Sequence, residues 1–210
     1  MPTRSSPAGA CPRGLVLSAA IQRRHFFYGV IFMRLKAELA DAQKIDRALM
    51  RLTHQLLDRN GDGDICLVGI RTRGVPLSER LAANLKSLTG RGVNVGALDI
   101  TLYRDDLTEI GETARLNGTH IYFPVAKRRV VLVDDVIYTG RTARAAMDAV
   151  IALGRPASIQ LAVLVDRGHR ELPIRADYVG FNVPTERREL VQVRLRETDG
   201  GDGIHLLEKM

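Results

Sequence analysis

Two continuous apolar runs constrain the fold of this chain more than any other feature. Ile65-Cys-Leu-Val-Gly-Ile70 and Val130-Val-Leu-Val133 have no alternating polar residues, so each predicts a strand buried on both faces, as in a parallel sheet. Each run is followed by a polar, glycine-containing turn and then a helical pattern. Pro76 opens one helix that reaches about Leu88 and stops at Gly90; another spans about Thr142 to Leu153 and stops at Gly154. Upstream, Leu35, Leu39, Ala42, Ile45, Leu49, Leu52 and Leu56 recur at helical spacing and predict one helix from Leu35 to about Arg59, ended by Asn60-Gly61. Further strands are predicted near Val93–Leu102, Ile159–Val165, Tyr178–Val183, Leu190–Leu195 and Ile204–Leu207. Strands alternating with helices, then a strand-rich tail, give an α/β domain with a mainly parallel central sheet flanked by helices.

Composition excludes the alternatives. At 45% apolar and 26% charged, the 210 residues are neither a disordered chain nor a rod. No apolar stretch is long enough to span a bilayer, so no membrane partner is expected. Cys11 and Cys66 are the only cysteines, which excludes a disulfide framework and points to a reducing, cytoplasmic setting. The net charge of +7 is partly a terminal effect: Arg4, Arg13, Arg23 and Arg24 lie before Met33, where no acid occurs. Residues 1–32 accordingly read as a disordered leader or extended start ahead of a domain covering 33–210. The polar stretch Tyr103–Thr119 has two glycines and no period, and a loop that long in a compact domain is expected to be functional.

The chemistry concentrates in Val130-Val-Leu-Val-Asp-Asp-Val-Ile-Tyr-Thr-Gly-Arg-Thr142. Gly140 permits close backbone approach, and the turn with the following helix N-terminus forms an anion cradle to which Thr139 and Thr142 add hydroxyls. Asp134 and Asp135 would repel a phosphate there, so they must face something else; a sugar's vicinal hydroxyls or a hydrated divalent cation suit them. One turn thus suits a phosphorylated sugar. It is neither a Walker loop nor a Rossmann fingerprint, because neither glycine pattern is present.

This run resembles the 5-phosphoribosyl-1-pyrophosphate (PRPP) motif of type I phosphoribosyltransferases. The resemblance implies that Tyr138, Thr139, Gly140, Arg141 and Thr142 take the phosphate and that Asp134 and Asp135 take the ribose diol. It also implies that Thr72 and Arg73, in Gly69-Ile-Arg-Thr-Arg-Gly74, belong to a loop gripping pyrophosphate through backbone amides. Arg104, in the Tyr103–Thr119 stretch, would join them. Mg2+ is implied as PRPP's companion, near Asp134 and Asp135 but without a dedicated side-chain ligand.

Tyr138, the stretch Ile100–Thr108 and the stretch Asp166–Thr185 together resemble the PyrR family of uracil phosphoribosyltransferases, some of which also bind RNA as attenuators of pyrimidine genes. The resemblance spans about residues 34–208. It implies a small hood over the site, mainly residues 166–185, in which Tyr178 stacks on the base and the backbone of Val179, Asp166 and Arg167 reads its edge. Uracil, PRPP and UMP or UTP are the implied ligands, and a homodimer or higher homo-oligomer the implied assembly. Arg51, His54 and Arg59 fall on positions that the family uses for RNA, whereas Met50 and Phe181 depart from its pattern. The alternatives left open are an attenuator with little enzymatic role and a transferase for another base.

Overall fold

The computed structural model describes residues 25–28, 31–61, 64–101 and 119–210. Arg104 and nearly all of the Tyr103–Thr119 stretch lie outside these described residues. The apolar run Ile65–Ile70 is strand β3, buried along its whole length. It is flanked by β4 (Asn94–Leu98) and β5 (Arg129–Ile137), and the sheet continues through β6 (Ser158–Asp166) and β7 (Tyr178–Asn182) in the order β4-β3-β5-β6-β7. Every pairing within it is parallel. Helices α1 (Ala42–Asn60) and α2 (Gly74–Thr89) cover one face, where Ile45, Leu49, Leu52, Leu56, Leu77, Leu81 and Leu85 pack with Leu67, Val131, Val133 and Leu164. Helix α3 (Arg141–Leu153) covers the other, laying Ala143, Ala146, Ala149 and Val150 on Val68, Leu132 and Val163. Cys66 lies inside this second core, where burial pushes its thiol up to about 11 and leaves it unreactive at neutral pH.

A second, antiparallel sheet is built from both ends of the described chain, in the order β1-β2-β9-β8: β1 (His25–Tyr28), β2 (Ile31–Asp41), β9 (Gly203–Lys209) and β8 (Glu189–Arg194). Between β8 and β9 lies the short helix α4 (Arg196–Asp199).

Three expectations are corrected here. Residues 35–41 are strand, not the first turns of a helix. Leu35, Ala37 and Leu39 fit a period of two as well as a helical one, and Asp41 stops the strand by capping α1, accepting the Lys44 N–H at 2.8 Å. The leader does not run unbroken to residue 32, because His25–Tyr28 pairs with Ile31–Arg34. Finally, the stretch expected to form the hood contributes Tyr178–Asn182 to the parallel sheet instead. The separate layer comes from β1, β2, β8 and β9, a pairing between distant segments that local pattern does not reveal.

Candidate active site

Strand β5 outruns its neighbour. Its pairing with β3 ends at Gly69–Val133, whereas on the β6 side it continues to Ile137–Asp166. Asp134 and Asp135 therefore stand half-buried at an edge that β3 has already left. The vacated space is taken by the turn Arg71–Gly74. Glycine is required at both ends of that turn: a Cβ on Gly74 would lie 2.2 Å from the Val133 carbonyl oxygen, and one on Gly69 would lie 2.5 Å from that of Gly74. The Arg71–Thr72 peptide is cis, and the Arg71 N–H is held by the Leu98 carbonyl at 2.9 Å.

A cleft of about 550 Å³ opens between these elements, lined by Arg71, Thr72, Arg73, Asp134, Asp135 and Thr142 among others. It meets a second hollow of about 310 Å³ at Asp134, Val136 and Thr142; the second is formed by Tyr138–Ala143 with Glu171 and the inner side of β6. Gly140 caps α3 with a φ of 94°, and the helix has neither a side-chain cap bond nor an acid in its first turn. The Arg141 N–H reaches Thr139 Oγ1 at 3.4 Å, and the N-terminal end of α3 opens on the second hollow, a setting that suits an anion. The loop after β6 braces this turn. Glu171 and Leu172 donate N–H groups to the Thr139 carbonyl at 3.0 and 3.1 Å, and Arg141 pairs with Glu171 at 3.0 Å.

Burial holds the Asp134 carboxyl well above the usual range, and the charge of Asp135 adds to it. Burial also raises Asp135, against the lowering influence of its hydrogen bond with Asp134 and the Arg73 charge. The Asp135 N–H donates to Asp134 Oδ1 at 2.9 Å and the Val136 N–H to Asp135 Oδ1 at 2.8 Å. Two crowded carboxylates at a cleft edge are a poor device for stability but a good acceptor pair for a diol or for the water shell of a cation. Among the described residues no group of three or more acids, histidines or cysteines could cage a metal.

The structure thus brings together Thr72, Arg73, Asp134, Asp135 and Tyr138–Thr142. Arg73 is already engaged, because its guanidinium forks on Asp199, 3.1 Å from Nε and 2.8 Å from Nη2. That bond holds the Asp199 carboxyl well below the usual range. A lowered carboxyl stabilises the fold above the unfolded value near 4 and loses that contribution as pH falls toward the folded one. Asp199→Asn should therefore lower Tm at pH 7, with the difference from the parent chain shrinking below about pH 4 in acid thermal melts.

Of the four expected base contacts, Tyr178 lies away from the cleft, and the backbone of Val179, Asp166 and Arg167 already makes bonds within the fold. Tyr178 is buried at the opposite end of β7, where its hydroxyl donates to Gln160 Oε1 at 2.9 Å and accepts from Asn60 Nδ2 at 3.0 Å. Val179 pairs with Val163, well below the strand ends. The Asp166 carbonyl already accepts the Val183 N–H, and the Arg167 N–H is spent on the Ile137 carbonyl. Asp166 instead binds Arg170 at 2.5 Å through its carboxylate, and Arg170 donates onward to the Tyr138 carbonyl at 2.8 Å. Arg167 acts through its side chain, stacking its guanidinium 4.0 Å from the Tyr138 ring centroid. Tyr178→Phe should then cost only about 1 kcal/mol of stability, because Asn60 Nδ2 and Gln160 Oε1 keep their own bond at 3.1 Å, and should leave base affinity untouched.

Sequence reasoning missed Arg170, whose only local signal is its spacing of four from Asp166. It also missed a hollow of about 280 Å³ on the second-sheet side of Tyr138, which includes Met33, Arg167, Arg187, Arg188 and Leu190. Along α1, Lys44, Arg47, Arg51, His54 and Arg59 are all exposed. Arg51 nonetheless donates to the Gly180 carbonyl, and Arg59 pairs with Asp177 at 2.7 Å. Among the described residues no helix is long and apolar enough to cross a membrane.

Comparison with known proteins agrees with this geometry. Residues 36–198 match the phosphoribosyl transferase domain family. The chain is 60% identical over 176 residues to the "Bifunctional protein PyrR" of Pelotomaculum thermopropionicum, covering 83% of this chain and 97% of that protein. It is 58% identical over 178 residues to the protein of the same name from Thermus aquaticus, covering 84% and 98%. In fold it is similar to a hypoxanthine phosphoribosyltransferase from Staphylococcus aureus, with a TM-score of 0.62 at 20% identity, covering 81% of this chain and 92% of the other.

Proposed function

The chain belongs to the PyrR family of type I phosphoribosyltransferases, and from that premise we propose that it transfers the ribose 5-phosphate of PRPP to uracil, giving UMP and pyrophosphate in the cytoplasm. The observation that carries the proposal is the joined pair of hollows meeting at Asp134 and Thr142. One suits a terminal phosphate and the other a pyrophosphate, with the Asp134 carboxylate at their junction and Asp135 beside it in the larger. In this reading the α3 N–H groups and Thr139 and Thr142 hold the 5-phosphate, Asp134 and Asp135 hold the ribose hydroxyls, and the Thr72–Gly74 backbone receives pyrophosphate. Mg2+ bound with PRPP would supply charge neutralisation for the leaving pyrophosphate. The protein's own work is positioning, electrostatics and exclusion of water as positive charge develops on the ribose.

The base lies against Tyr138, whose other partner is the Arg167 guanidinium. Tyrosine offers no carboxylate to accept a proton from a purine imidazole ring, which speaks against a 6-oxopurine substrate. Incubating the protein with PRPP, Mg2+ and either uracil, orotate or hypoxanthine tests this directly. UMP and pyrophosphate should form in equal amounts with uracil. Turnover of hypoxanthine or orotate in preference to uracil contradicts the base assignment.

A second activity has its own observation, the exposed cationic row on α1. The names of the close relatives describe bifunctional proteins, and we propose that this row, including Arg51, His54 and Arg59, meets the phosphate backbone of RNA from pyrimidine genes, with a homodimer doubling the surface. UMP should strengthen retention of such an RNA, and added salt should weaken it steeply. Absence of retention at low salt with UMP present would leave the protein an enzyme only.

A further inference from the structure

The segment between β8 and β9 leaves the second sheet and reaches the parallel domain, where two arginines fasten it. Arg80, in α2, forks on Glu197 at 2.8 and 2.7 Å and on Asp202 at 3.1 and 2.7 Å, and is not part of the cleft wall. Arg73 is part of that wall, beside Thr72 and Asp135, and forks on Asp199. Asp199 is itself fixed: the Leu195 N–H reaches its Oδ2 at 3.1 Å, the Thr198 hydroxyl at 2.7 Å, and Arg194 donates to its carbonyl at 2.9 Å. The loop that Arg73 belongs to enters α2 without any side-chain cap bond. An anchored fork is therefore well suited to hold it from the outside. A guanidinium gripped at two donors cannot rotate about its stem, and its remaining donors keep a fixed direction.

We propose that Asp199 is a positioning residue for the pyrophosphate end of the cleft. By gripping Arg73 it fixes the Thr72–Gly74 backbone that receives the pyrophosphate and keeps the Arg73 charge beside Asp135. A turn of the second sheet thereby sets the geometry of a loop in the first. The proposal rests on the phosphoribosyl-transfer reading and assigns a part in it to a residue outside the motif.

Calorimetric binding of PRPP, and separately of UMP, to the wild type, Asp199→Asn and Arg80→Gln tests it with the full chain. UMP has no pyrophosphate, so it reports on the rest of the site. Asp199→Asn should weaken PRPP about tenfold and leave UMP affinity within about twofold. Arg80→Gln loosens the same segment without touching the cleft; it should lower Tm and leave PRPP affinity within about twofold. Unchanged PRPP affinity in Asp199→Asn overturns the proposal. So does equal weakening of PRPP and UMP, or an Arg80→Gln loss for PRPP as large as that of Asp199→Asn, because docking of the segment and not the fork would then be responsible. A wild type that binds UMP but no PRPP fails at the earlier step, overturning the transfer reading and this inference with it.

Discussion

Asp134→Asn should give a folded protein that melts higher at neutral pH and uses PRPP far less well. Both halves follow from one geometry. The Asp134 carboxyl is held above its usual range by burial and by the adjacent Asp135. In the window between the unfolded and folded values, the folded state keeps a proton that the unfolded chain has lost, so stability falls as pH rises through that window. A neutral amide removes the penalty, and a gain of about 1 kcal/mol at pH 7 is the expected size for relief at a functional site. The same change removes a charged acceptor from the ribose hydroxyls, which should cost about 1.5–3 kcal/mol in transition-state binding, or about 10- to 150-fold in kcat/KM for PRPP. Thermal melts at pH 5 and pH 7 together with steady-state kinetics check both. A variant with wild-type kcat/KM, or one that melts lower at pH 7 than its parent, contradicts the role given to Asp134.

Gly74→Ala should be the most damaging single methyl addition among the described glycines. The added Cβ would lie 2.2 Å from the Val133 carbonyl oxygen and 3.2 Å from its carbon, and both are backbone atoms of a central buried strand. Neither can swing aside as a side-chain end would. Either the Arg71–Gly74 turn moves out or β5 bends, at an expected cost of about 3 kcal/mol. Any outward movement takes Thr72 and Arg73 away from the cleft, so PRPP binding should be lost even in the fraction that stays folded. The control is Gly92→Ala: its Cβ meets nothing within 4 Å, and it should alter neither quantity. Denaturant unfolding and PRPP calorimetry separate the two effects.

These two positions also mark how far the sequence could be read. Ile65–Ile70 was legible to the residue, because a run with no polar alternation has few other ways to be buried. The Asp134–Thr142 turn was legible because its acids, glycine and hydroxyls each need a reason to stand between a strand and a helix. Residues 35–41 were not. Leu35, Ala37 and Leu39 satisfy a helix and a strand equally, and pairing with β9, some 170 residues away, decides between them. Tyr178 misled for a related reason. An aromatic residue near a strand suits a stacking role, but its position at the start of β7 places it at the end of the sheet away from the cleft. Its hydroxyl partners, Asn60 and Gln160, come from other elements. Arg73 lines the cleft, yet nothing near it in sequence announces Asp199, which lies between β8 and β9 of the other sheet. Local pattern carries elements and their turns; it does not carry contacts closed by tertiary pairing.

The most direct test of the account is a crystal structure of the protein grown with UMP. The phosphate should lie on the N–H groups of residues 139–142, the ribose 2′- and 3′-hydroxyls should be hydrogen-bonded to Asp134 and Asp135, and the uracil ring should rest against Tyr138. A nucleotide bound with its phosphate away from this turn, or with its ribose hydroxyls directed away from both carboxylates, would contradict the account at its centre.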